Sequence, residues 1–469
     1  MSLKNKNITR VALVVPKVKK DTPIALPYGL ASIAGYVLEN CKNVEIKFFD
    51  ESIGCDINME LIKFNPHIVG VTSNTVQIYK AHKILGFAKK AFNSLTVIGG
   101  IHVSSLPEES LIYSDIVVVN DGEIVFKEII ENYQKGILSK GIFQGVEIKN
   151  LDDVTIPYHL LNVKGYLEHS SWVLPSLEKP MVMITSRGCP FKCLFCYNSK
   201  RKPSVRHQSA KKIVSDVLFL HKEYGITNFY FGDDNFLLNV NRFKEIAKLF
   251  VDNKIGHWIQ WGCQTRARNL SFETLTLAKN VGMIELSLGI ERGDERLLSL
   301  LKDKTNISDN ETVLSFCKKL KINVGGGTIW GYFDETKEDM EKSFKWLTTQ
   351  TNLSFIAVGC IIVYPTAKIW EIYKQKGFLP KKVNYEKLLQ TNYAFDTYFH
   401  LEHMNKQKFA KRLLHYSRLL RLYAEVNRTY SFKHFFFRMS RNKRWWWGWF
   451  KYPIHMIKMV YRILENKKE

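Results

Sequence analysis

The chain has 469 residues, of which 45% are hydrophobic and 24% are charged. These are ordinary values for globular protein, so they exclude wholesale disorder and fibrous structure, and the length suggests about three domains. The formal net charge is +23, and residues 401–469 alone hold 17 basic and 4 acidic residues. This asymmetry predicts an anionic partner for the C-terminal end, such as a membrane surface, a nucleic acid or an anionic substrate.

Three features bear on the cellular compartment. The longest uncharged apolar run, Phe355 to Pro365, is shorter than the about 20 residues that a membrane-spanning helix needs. The N-terminal segment has no apolar stretch beside its charges and does not resemble a signal peptide. Eight cysteines are too few for a disulfide framework, and three of them lie within eight positions, which is typical of metal binding. We therefore expect a cytoplasmic protein.

Residues 1–143 alternate short apolar runs with amphipathic segments. Five runs predict strands, at Val11–Val15, Val44–Phe49, Ile68–Thr72, Thr96–Ile98 and Asp115–Val119. Segments between them, such as Leu30–Leu38 and Tyr79–Phe92, have helical periodicity. The alternation predicts an α/β domain with a doubly wound, flavodoxin-like parallel sheet, whose ligands bind beyond the carboxyl ends of the strands.

Residues 144–180 show little periodicity and contain three prolines, so we interpret them as a linker between domains. Six further strands are then predicted, at Val182–Ser186, Asn228–Phe231, Trp258–Gly262, Ile284–Gly289, Asn323–Trp330 and Phe355–Val363. Helices are predicted between them, at Ala210–Glu223, Val240–Asp252, Phe272–Asn280, Asn310–Leu320 and Lys337–Thr348. These β-α units indicate a partial (β/α)6 barrel of the TIM type over residues 181–390.

The last segment, residues 391–469, loses this alternation and is predicted to be a helical, basic and aromatic region. Aromatic runs occur at Phe435–Phe437 and Trp445–Phe450. Basic residues then recur with the spacing of one helix face, at Lys451, His455, Lys458 and Arg462. Apolar residues take the opposite side, at Met456, Ile457, Val460 and Leu464. The pattern fits a membrane interface, and a helix packed on the barrel with a solvated basic face is the alternative.

The strongest chemical signal is a cysteine triplet with the spacing Cys-x3-Cys-x2-Cys, formed by Cys189, Cys193 and Cys196. Iron–sulfur clusters are held by thiolates, and short spacings allow one loop to bind several irons. Three thiolates leave one iron of a four-iron cluster without a protein ligand, and such an open position is where chemistry can occur. The triplet follows the first strand of the predicted barrel, at the end where barrels place their active sites.

A zinc site is the main alternative for the triplet. A tetrahedral zinc site would need a fourth ligand, and the nearest candidate downstream is His207, with no second cysteine pair beside it. Unrelated core cysteines would rarely crowd into eight positions. The iron–sulfur interpretation is therefore preferred.

The triplet, with an aromatic residue before its last cysteine and six β-α units around it, resembles the radical S-adenosylmethionine (SAM) superfamily. The N-terminal domain resembles the cobalamin-binding domain of one large branch of it. The motifs of the first domain are Pro27–Ala34, Val69–Ser73, Ile98–His102, Leu106–Glu109 and Asp121–Glu123. Those of the second are Phe231–Phe236, Gly289–Gly293, Gly331–Thr336 and Tyr364–Thr366. The resemblance implies a cobalamin-binding domain over 1–143 and a radical SAM barrel over 181–390.

The resemblance also implies roles for single residues of the second domain. Cys189, Cys193 and Cys196 would bind a [4Fe-4S] cluster, whose open iron is chelated by the amino and carboxylate groups of SAM. Phe195 would pack near the adenine, and Gly232, Asp233 and Asp234 would meet the SAM amino group. Arg266 and Glu291 would hold the carboxylate and the ribose. A salt bridge at the barrel rim is the alternative for these two residues.

In the first domain the resemblance implies cobalamin over the carboxyl edge of the sheet. Three groups of residues follow successive strands there: Thr72, Ser73 and Asn74; Gly99, Gly100 and His102; and Asp121, Gly122 and Glu123. Small residues would let the flat macrocycle lie close, and hydroxyl and amide groups would bind its peripheral amides. Ordinary turn chemistry is the alternative for each group taken alone.

The sequence departs from related patterns in three places. It lacks the Asp-x-His-x-x-Gly sequence that supplies a lower-ligand histidine in another cobalamin family, and His102 is a weak substitute for that ligand. Asn120–Glu123 stands where the branch often has Gly-Glu-Gly-Glu. Pro365 and Thr366 lack the glycine of the frequent Pro-Gly-Thr.

The resemblance implies that the chain is a cobalamin-dependent radical SAM enzyme. An electron from a donor such as flavodoxin or ferredoxin would reduce the cluster, and SAM would be cleaved to a 5′-deoxyadenosyl radical that abstracts hydrogen from an unactivated carbon. Methylcobalamin would then donate a methyl group. A cyclase or ring-rearranging enzyme without net methyl transfer is the first alternative. No residue is predicted as a general base.

The C-terminal region bears on substrate and partners. It suggests a lipid-like substrate, as in the hopanoid-modifying members of the branch, and peripheral contact with the inner face of the membrane. A tRNA-modifying radical SAM enzyme would explain the basic charge, but its N-terminal domain should carry three more cluster cysteines, and only Cys41 and Cys55 are present there. Nucleic acid is therefore disfavoured as a partner. A non-catalytic cobalamin sensor would leave the cysteine triplet unexplained.

Overall fold

Two parallel sheets of six strands each organise the chain. The computed structural model describes residues 8–17, 24–169, 176–201, 204–388, 400–427, 446, 448 and 450–465. No helix in these ranges combines the length and the apolar composition needed to cross a bilayer.

The first sheet has the strand order β2-β1-β3-β4-β5-β6. Its strands are β1 (Thr9–Val15), β2 (Val44–Asp50), β3 (Ile68–Thr72), β4 (Leu95–Gly99), β5 (Ile116–Val119) and β6 (Gly141–Gln144). The predicted doubly wound, flavodoxin-like sheet is confirmed, with β6 as a sixth strand that the sequence pattern missed because it holds only two apolar residues. From β1 the chain first adds β2 on one side and then continues with β3 on the other side. Parallel sheets bind ligands at such a switch in strand order, so a crevice is expected near the carboxyl ends of β1 and β3.

Helices cover both faces of this sheet. They are α1 (Tyr28–Asn40), α2 (Ile57–Phe64), α3 (Ile78–Phe92), α4 (Ile101–Ser105) and α5 (Glu123–Gln134). Val11 and Leu13 of β1 pack in one core with α1 and α5, whereas Ala12 and Val14 pack in another with α2 and α3. Successive strand residues point to opposite faces, so a sheet buried on both sides needs the continuous apolar runs seen in the sequence.

The segment between the two sheets is more structured than its sequence indicates. Within 144–169 it contains two short 3₁₀ turns, at Leu151–Asp153 and Tyr158–Leu160, and the helix α6 (Val163–Glu168). The Tyr166 hydroxyl of α6 donates to Asp50 Oδ2 at 2.7 Å and ties the segment to the first sheet. A helix of six residues is too short to show periodicity, which is why the sequence pattern missed it.

The second sheet is parallel, with the consecutive order β14-β13-β12-β11-β10-β7. Its strands are β7 (Met181–Met183), β10 (Asn228–Phe231), β11 (Gln260–Thr265), β12 (Met283–Glu291), β13 (Asn323–Trp330) and β14 (Leu353–Cys360). Its helices are α7 (Ala210–Tyr224), α8 (Val240–Asp252), α9 (Phe272–Asn280), α10 (Glu295–Leu301), α11 (Ile307–Lys319), α12 (Lys337–Thr349) and α13 (Lys368–Gln375). The predicted partial barrel is confirmed. A small antiparallel pair, β8 (Ser186–Arg187) and β9 (Arg206–His207), flanks the cysteine loop.

Two helices of the C-terminal region pack on the barrel. They are α14 (Lys406–Asn427) and α15 (Pro453–Glu465). Asn427 donates to the carbonyl oxygens of Gln350 and Leu353, at 3.0 and 2.8 Å, and so fixes the end of α14 beside β14. Met456 and Met459 of α15 are fully buried in the barrel core. The aromatic run Phe435–Phe437, together with Trp445, Trp447, Trp449 and the side chains of Val460, Arg462 and Leu464, lies outside the described residues.

Candidate functional site

A cavity of about 290 Å³ lies at the carboxyl edge of the first sheet, between it and the start of the barrel. Six residues that the sequence predicted for cobalamin line it: Thr72, Gly99, Gly100, Asp121, Gly122 and Glu123. Its floor is apolar, with Val71, Val97, Val118 and Phe126. The carboxyl ends of β3, β4 and β5 thus meet at one place, as parallel strands require.

Three predicted cobalamin residues do not line this cavity. The Ser73 hydroxyl donates to the carbonyl oxygen of Asn74 at 2.9 Å. The Asn74 side-chain oxygen accepts from the backbone N–H groups of Val76 and Gln77, at 3.1 and 3.2 Å, in the turn that leads into α3. The third residue, His102, is fully buried elsewhere. Both polar side chains of the β3 turn are therefore occupied by local hydrogen bonds.

His102 belongs to a network that joins the first domain to the segment after α13. Its Nδ1 is 3.2 Å from Thr75 Oγ1, and its Nε2 is 3.6 Å from Glu109 Oε2. Tyr385 packs edge-on against the imidazole and donates to Glu109 Oε1 at 2.8 Å. Contact with His102, together with the Tyr385 hydrogen bond, lowers the pKa of Glu109. These contacts hold the imidazole away from the cavity.

Several residues without a predicted role also line the cavity, among them Tyr28, Ser32, Ile33, Gly70 and Arg187. The first three lie on the first two turns of α1, and Gly70 lies within β3. The motifs Pro27–Ala34 and Val69–Ser73 contained four of them, so those motifs were the available signal. Arg187 lies two residues before the cysteine triplet, but the triplet gave no sign that this side chain reaches the first domain.

The cavity offers open space beside two glycines and a buried acceptor for a ligand that donates hydrogen bonds. A Cβ atom at Gly29 would meet nothing within 4 Å, and one at Gly99 would only touch Val118. Glu123 is buried, and its Oε2 has no hydrogen-bond partner among the described residues. A buried carboxylate oxygen without a partner is costly, so it favours a ligand that donates to it. These properties fit the peripheral amides of cobalamin.

Arg187 connects this cavity to the cysteine loop. Its Nη2 donates to Glu123 Oε1 and to Ser32 Oγ, both at 2.6 Å, and its Nη1 donates to Asp121 Oδ2 at 3.0 Å. Arg206 of β9 also donates to Asp121 Oδ2, at 2.7 Å. The hydrogen bond from Arg206 and the charge of Arg187 outweigh burial and lower the pKa of Asp121. The carboxylates of Asp121 and Glu123, which follow β5, therefore bind the arginines of the β8–β9 pair.

The cysteine loop begins directly after Arg187 with a sharp turn. Gly188 has φ +87°, and a Cβ there would lie 2.0 Å from the carbonyl oxygen of Ser204, so only glycine fits. The loop is anchored further on by backbone groups: Leu194 N–H donates to Leu301 O at 2.9 Å, and Ile369 N–H donates to Leu194 O at 3.0 Å. Its position is thus set by α10 and α13.

The three cysteines of the loop are free thiols; Cys193 is buried and the other two are half-buried. Burial raises the pKa of Cys189, and it raises that of Cys196 to about 11, with Asp234 adding to both shifts. Such thiols are protonated at neutral pH unless a metal displaces the proton. Three thiols within one loop, one buried and two half-buried, fit an iron–sulfur cluster with one iron left open.

The two aspartates after β10 have different environments. Asp233 is buried and accepts from the Thr185 and Ser186 N–H groups, at 2.5 and 3.1 Å, and from the Thr185 hydroxyl at 2.6 Å. Its carboxylate is therefore used to join the ends of β7 and β10. Asp234 is exposed and accepts from Asn198 Nδ2 at 2.9 Å, and that amide lies 3.9 Å from Cys196 Sγ. Asp234 is the carboxylate that faces the cysteine loop.

Arg266 and Glu291 both lie close to the loop but are not paired with each other. Arg266 Nη1 is 3.0 Å from Cys193 Sγ. Glu291 has φ +61°, at a register shift in β12, and its Oε1 is 3.7 Å from Lys302 Nζ. Burial raises the pKa of Glu291, and burial lowers that of Lys302. Phe195 is half-buried against the barrel core.

Comparison with known proteins agrees with this arrangement. Residues 15–130 match the B12 binding domain, and residues 183–347 match the radical SAM superfamily. An uncharacterised methyltransferase of Pyrococcus horikoshii is 28% identical over 82% of this chain and 86% of its own length. The bacteriochlorophyllide d C-12(1)-methyltransferase of Chlorobaculum tepidum is 24% identical over 78% of this chain and 81% of its own length.

A third relative is named for a different reaction. The anaerobic magnesium-protoporphyrin IX monomethyl ester cyclase of Cereibacter sphaeroides is 25% identical over 61% of this chain, and the match spans only half of the cyclase. This cyclase and the two methyltransferases match the same chain at comparable identity.

Two solved structures share the fold. The cobalamin-dependent radical SAM enzyme OxsB, with aqua-cobalamin and SAM bound, superposes with a TM-score of 0.70 at 14% identity, over 99% of this chain and 79% of OxsB. The radical SAM methyltransferase TsrM of Kitasatospora setae, with cobalamin and a [4Fe-4S] cluster, gives 0.62 at 16% identity, over 80% of this chain and 76% of TsrM. The cofactors of the chain are accordingly a [4Fe-4S] cluster, SAM and cobalamin. The chain belongs to the radical SAM enzymes that carry an N-terminal cobalamin-binding domain.

Proposed function

We propose that the chain is a C-methyltransferase that acts on an unactivated carbon of a small or lipid-like molecule. The observation that carries this proposal is the Arg187 contact, because it places the cysteine loop directly against the cavity of the first domain. When bound, the cofactors supply SAM cleavage at the cluster and methyl transfer from methylcobalamin. The protein supplies the positions of the two centres relative to each other. We take 1–143, 144–180, 181–390 and 391–469 as the functional divisions of the chain.

In this proposal the second domain binds the cluster and SAM. Cys189, Cys193 and Cys196 hold the cluster. Asp234 receives the SAM amino group, since its carboxylate is exposed beside the loop, whereas Asp233 is committed to Thr185 and Ser186. Gly232 lets the end of β10 pack closely on Val182 and Ile184 beside Asp234, and Phe195 packs near the adenine. Glu291 accepts from the ribose at the carboxyl end of β12.

The first domain binds cobalamin through the cavity. Thr72, Gly99 and Gly100 form the wall against which the ligand lies, and the free Oε2 of Glu123 accepts from one of its amides. Asp121 and Gly122 complete this wall, with Asp121 held by Arg187 and Arg206. Ser73, Asn74 and His102 act indirectly, by shaping the turns after β3 and β4.

An assay of SAM products can distinguish a methyltransferase from a cyclase even when the substrate is unknown. Full-length protein with cluster and cobalamin is reduced with titanium(III) citrate and given SAM. A methyltransferase should form one S-adenosylhomocysteine per bound cobalamin, together with methylcobalamin. Formation of 5′-deoxyadenosine alone would contradict methyl transfer and would favour the cyclase, the activity named for the Cereibacter relative. Gly99→Val is the matched control, and it should abolish S-adenosylhomocysteine while 5′-deoxyadenosine persists.

We also propose that the C-terminal region docks on the anionic inner face of the membrane. Four apolar side chains are exposed there: Trp446 (60%), Phe450 (86%), Ile454 (68%) and Ile457 (46%). Lys451 and Lys458 are exposed beside them. An apolar strip flanked by lysines matches the boundary between lipid headgroups and acyl chains.

This surface differs from the one that the periodicity predicts. His455 is half-buried and lies 3.1 Å from the Tyr423 hydroxyl, so it does not share the exposed basic face. Burial lowers the pKa of His455. Ile457 is exposed rather than packed on the side of Met456. Met456 and Met459 pack in the barrel core, and this decides which face of α15 is exposed.

Vesicle sedimentation tests the docking proposal. Full-length protein should bind vesicles that contain phosphatidylserine, and Phe450→Ser with Ile454→Ser should weaken binding by roughly tenfold or more, because each buried large apolar side chain contributes about 1.5–3 kcal/mol. Each lysine near the surface contributes about 1 kcal/mol, so binding should also fall with salt. Met59→Ser with Ile62→Ser removes two similarly exposed apolar side chains from α2 and is the matched control. Equal partitioning of both double variants and the wild type would contradict docking.

A further inference from the structure

Arg266 is a buried cation whose guanidinium lies beside Cys193, one of the three cysteines of the loop. It is 7% exposed, and Cys193 is 8% exposed. The Nη1–Sγ distance of 3.0 Å is a short hydrogen bond to sulfur. Among the described residues no carboxylate oxygen lies within salt-bridge distance of its guanidinium. Its other acceptors are neutral, namely the Asp303 carbonyl oxygen and the Thr305 hydroxyl at 2.6 Å.

Two independent contacts with the cysteine loop fix the orientation of the guanidinium. Its plane lies over the ring of Phe191, with Cζ 3.7 Å from the ring centroid, and Phe191 belongs to the cysteine loop itself. The loop and the end of β11 are therefore joined by a stacking contact and a hydrogen bond at once. The Nε–H group is buried and has no partner among the described residues, so the guanidinium can donate once more without moving.

The charged groups near Arg266 and the cysteine loop include the Lys302–Glu291 pair and the carboxylate of Asp234. Lys302 is paired with Glu291 and also donates to the carbonyl oxygen of Gly289. That pair has no net charge when both groups are ionised. An arginine side chain keeps its proton in proteins, so its positive charge beside Cys193 is permanent.

We propose that Arg266 is a positioning and tuning residue of the cluster, which donates to the Cys193 thiolate and raises the reduction potential. This assignment differs from the role in SAM carboxylate binding that the sequence suggests, and it rests on the proposed function of Cys193 as a ligand. One-electron reduction adds a negative charge to the cluster. Hydrogen bonds to the sulfurs and nearby positive charge stabilise that reduced form. The electron comes from a low-potential one-electron donor of the flavodoxin or ferredoxin class.

The test is a redox titration of the full chain with its cluster, without SAM, followed by electron paramagnetic resonance. Arg266→Gln should lower the midpoint potential by at least the equivalent of a tenfold change in the reduction equilibrium, which is 59 mV for one electron. Arg266→Lys should lower the midpoint potential less than Arg266→Gln does, because lysine keeps the positive charge but lacks the planar guanidinium. Arg268→Gln is the matched control, because Arg268 is exposed, makes the same charge change and donates only to the Lys304 carbonyl oxygen among the described residues.

SAM affinity separates the two roles of Arg266. We expect the dissociation constant for SAM to stay within roughly threefold of the wild type in Arg266→Gln. An unchanged potential with SAM affinity weakened tenfold or more would overturn the proposal and restore the carboxylate role. Loss of iron from both Arg266 variants would also overturn it, since the residue would then be needed only to fold the loop. Full iron retention in Cys193→Ala would instead refute the ligand assignment on which the proposal rests.

Discussion

Arg187 and Glu123 are 64 positions apart in sequence, yet Arg187 Nη2 donates to Glu123 Oε1 at 2.6 Å. Arg187 lies two residues before Cys189, and Glu123 begins α5 at the edge of the cobalamin cavity. The Glu123 side chain is only 2% exposed and that of Arg187 is 26% exposed. This ion pair joins the cysteine loop to the cavity of the first domain, and displacement of Arg187 would leave the buried Glu123 carboxylate without its cationic partner.

Breaking this pair should destabilise the first domain. Arg187→Met leaves Glu123 without its cationic partner, and removal of one member of a buried pair typically costs about 3–5 kcal/mol. We expect a loss near the lower end, about 3 kcal/mol, because Arg206 still pairs with Asp121. Urea unfolding followed by fluorescence would measure it. Glu123→Gln in the same background should recover much of the loss, and the absence of any recovery would show that the two side chains do not interact energetically.

Single replacement of Cys189, Cys193 or Cys196 by alanine should remove most of the bound iron and abolish SAM cleavage. Cys263 and Cys317, which are fully buried in the barrel core, provide matched controls. Their replacement by alanine should leave iron content near that of the wild type, since they act as small apolar side chains. Iron analysis after anaerobic reconstitution measures both. Equal iron loss in the two groups would refute the cluster assignment.

Gly99 and Gly100 should respond differently to substitution although they are adjacent. Gly99→Val should weaken cobalamin binding by tenfold or more with the cluster retained, because a Cβ there meets only Val118 and the branched side chain would occupy the cavity. Gly100→Ala should instead destabilise the domain, since Gly100 has φ +107° and its Cβ would lie 2.5 Å from Ser73 O. Corrinoid absorbance after gel filtration and thermal unfolding distinguish these outcomes. Normal stability of Gly100→Ala would contradict the second expectation.

Asp115 should contribute to stability above pH 4 and lose that contribution in acid. Burial alone would raise the pKa of Asp115, but hydrogen bonds from Lys89 and Thr96 lower it to about 2. The folded-state value is thus below the unfolded value of about 3.9, so the contribution is present above pH 4 and disappears as the pH falls towards 2. Between pH 5 and pH 2 the free energy of unfolding should therefore fall in both proteins, and the fall should be about 2 kcal/mol smaller in Asp115→Asn than in the wild type. Parallel pH profiles for the two proteins would contradict this.

The sequence alone determined most of the long strands and helices, and its motifs indicated the cofactor class by resemblance. Strands such as Asn228–Phe231 and Asn323–Trp330 and the helix Val240–Asp252 have the bounds that their periodicity predicts. This follows because local side-chain alternation is read directly from neighbouring residues. The cysteine triplet is equally local, since its three ligands lie within eight positions. Short elements with few apolar residues, such as β6 and α6, gave no comparable pattern.

Only the tertiary structure decided which polar side chains serve the site. Arg187 meets Ser32 across 155 positions, and Arg266 meets Cys193 across 73. Such contacts carry no periodicity, because they depend on how distant segments of the chain pack against each other. The same packing places His102 against Tyr385 instead of in the cavity, and it commits Asp233 to Thr185 while Asp234 stays open. A residue's type and its distance from a strand end predict that it is near a site; the burial of its hydrogen-bonding groups decides what it does there.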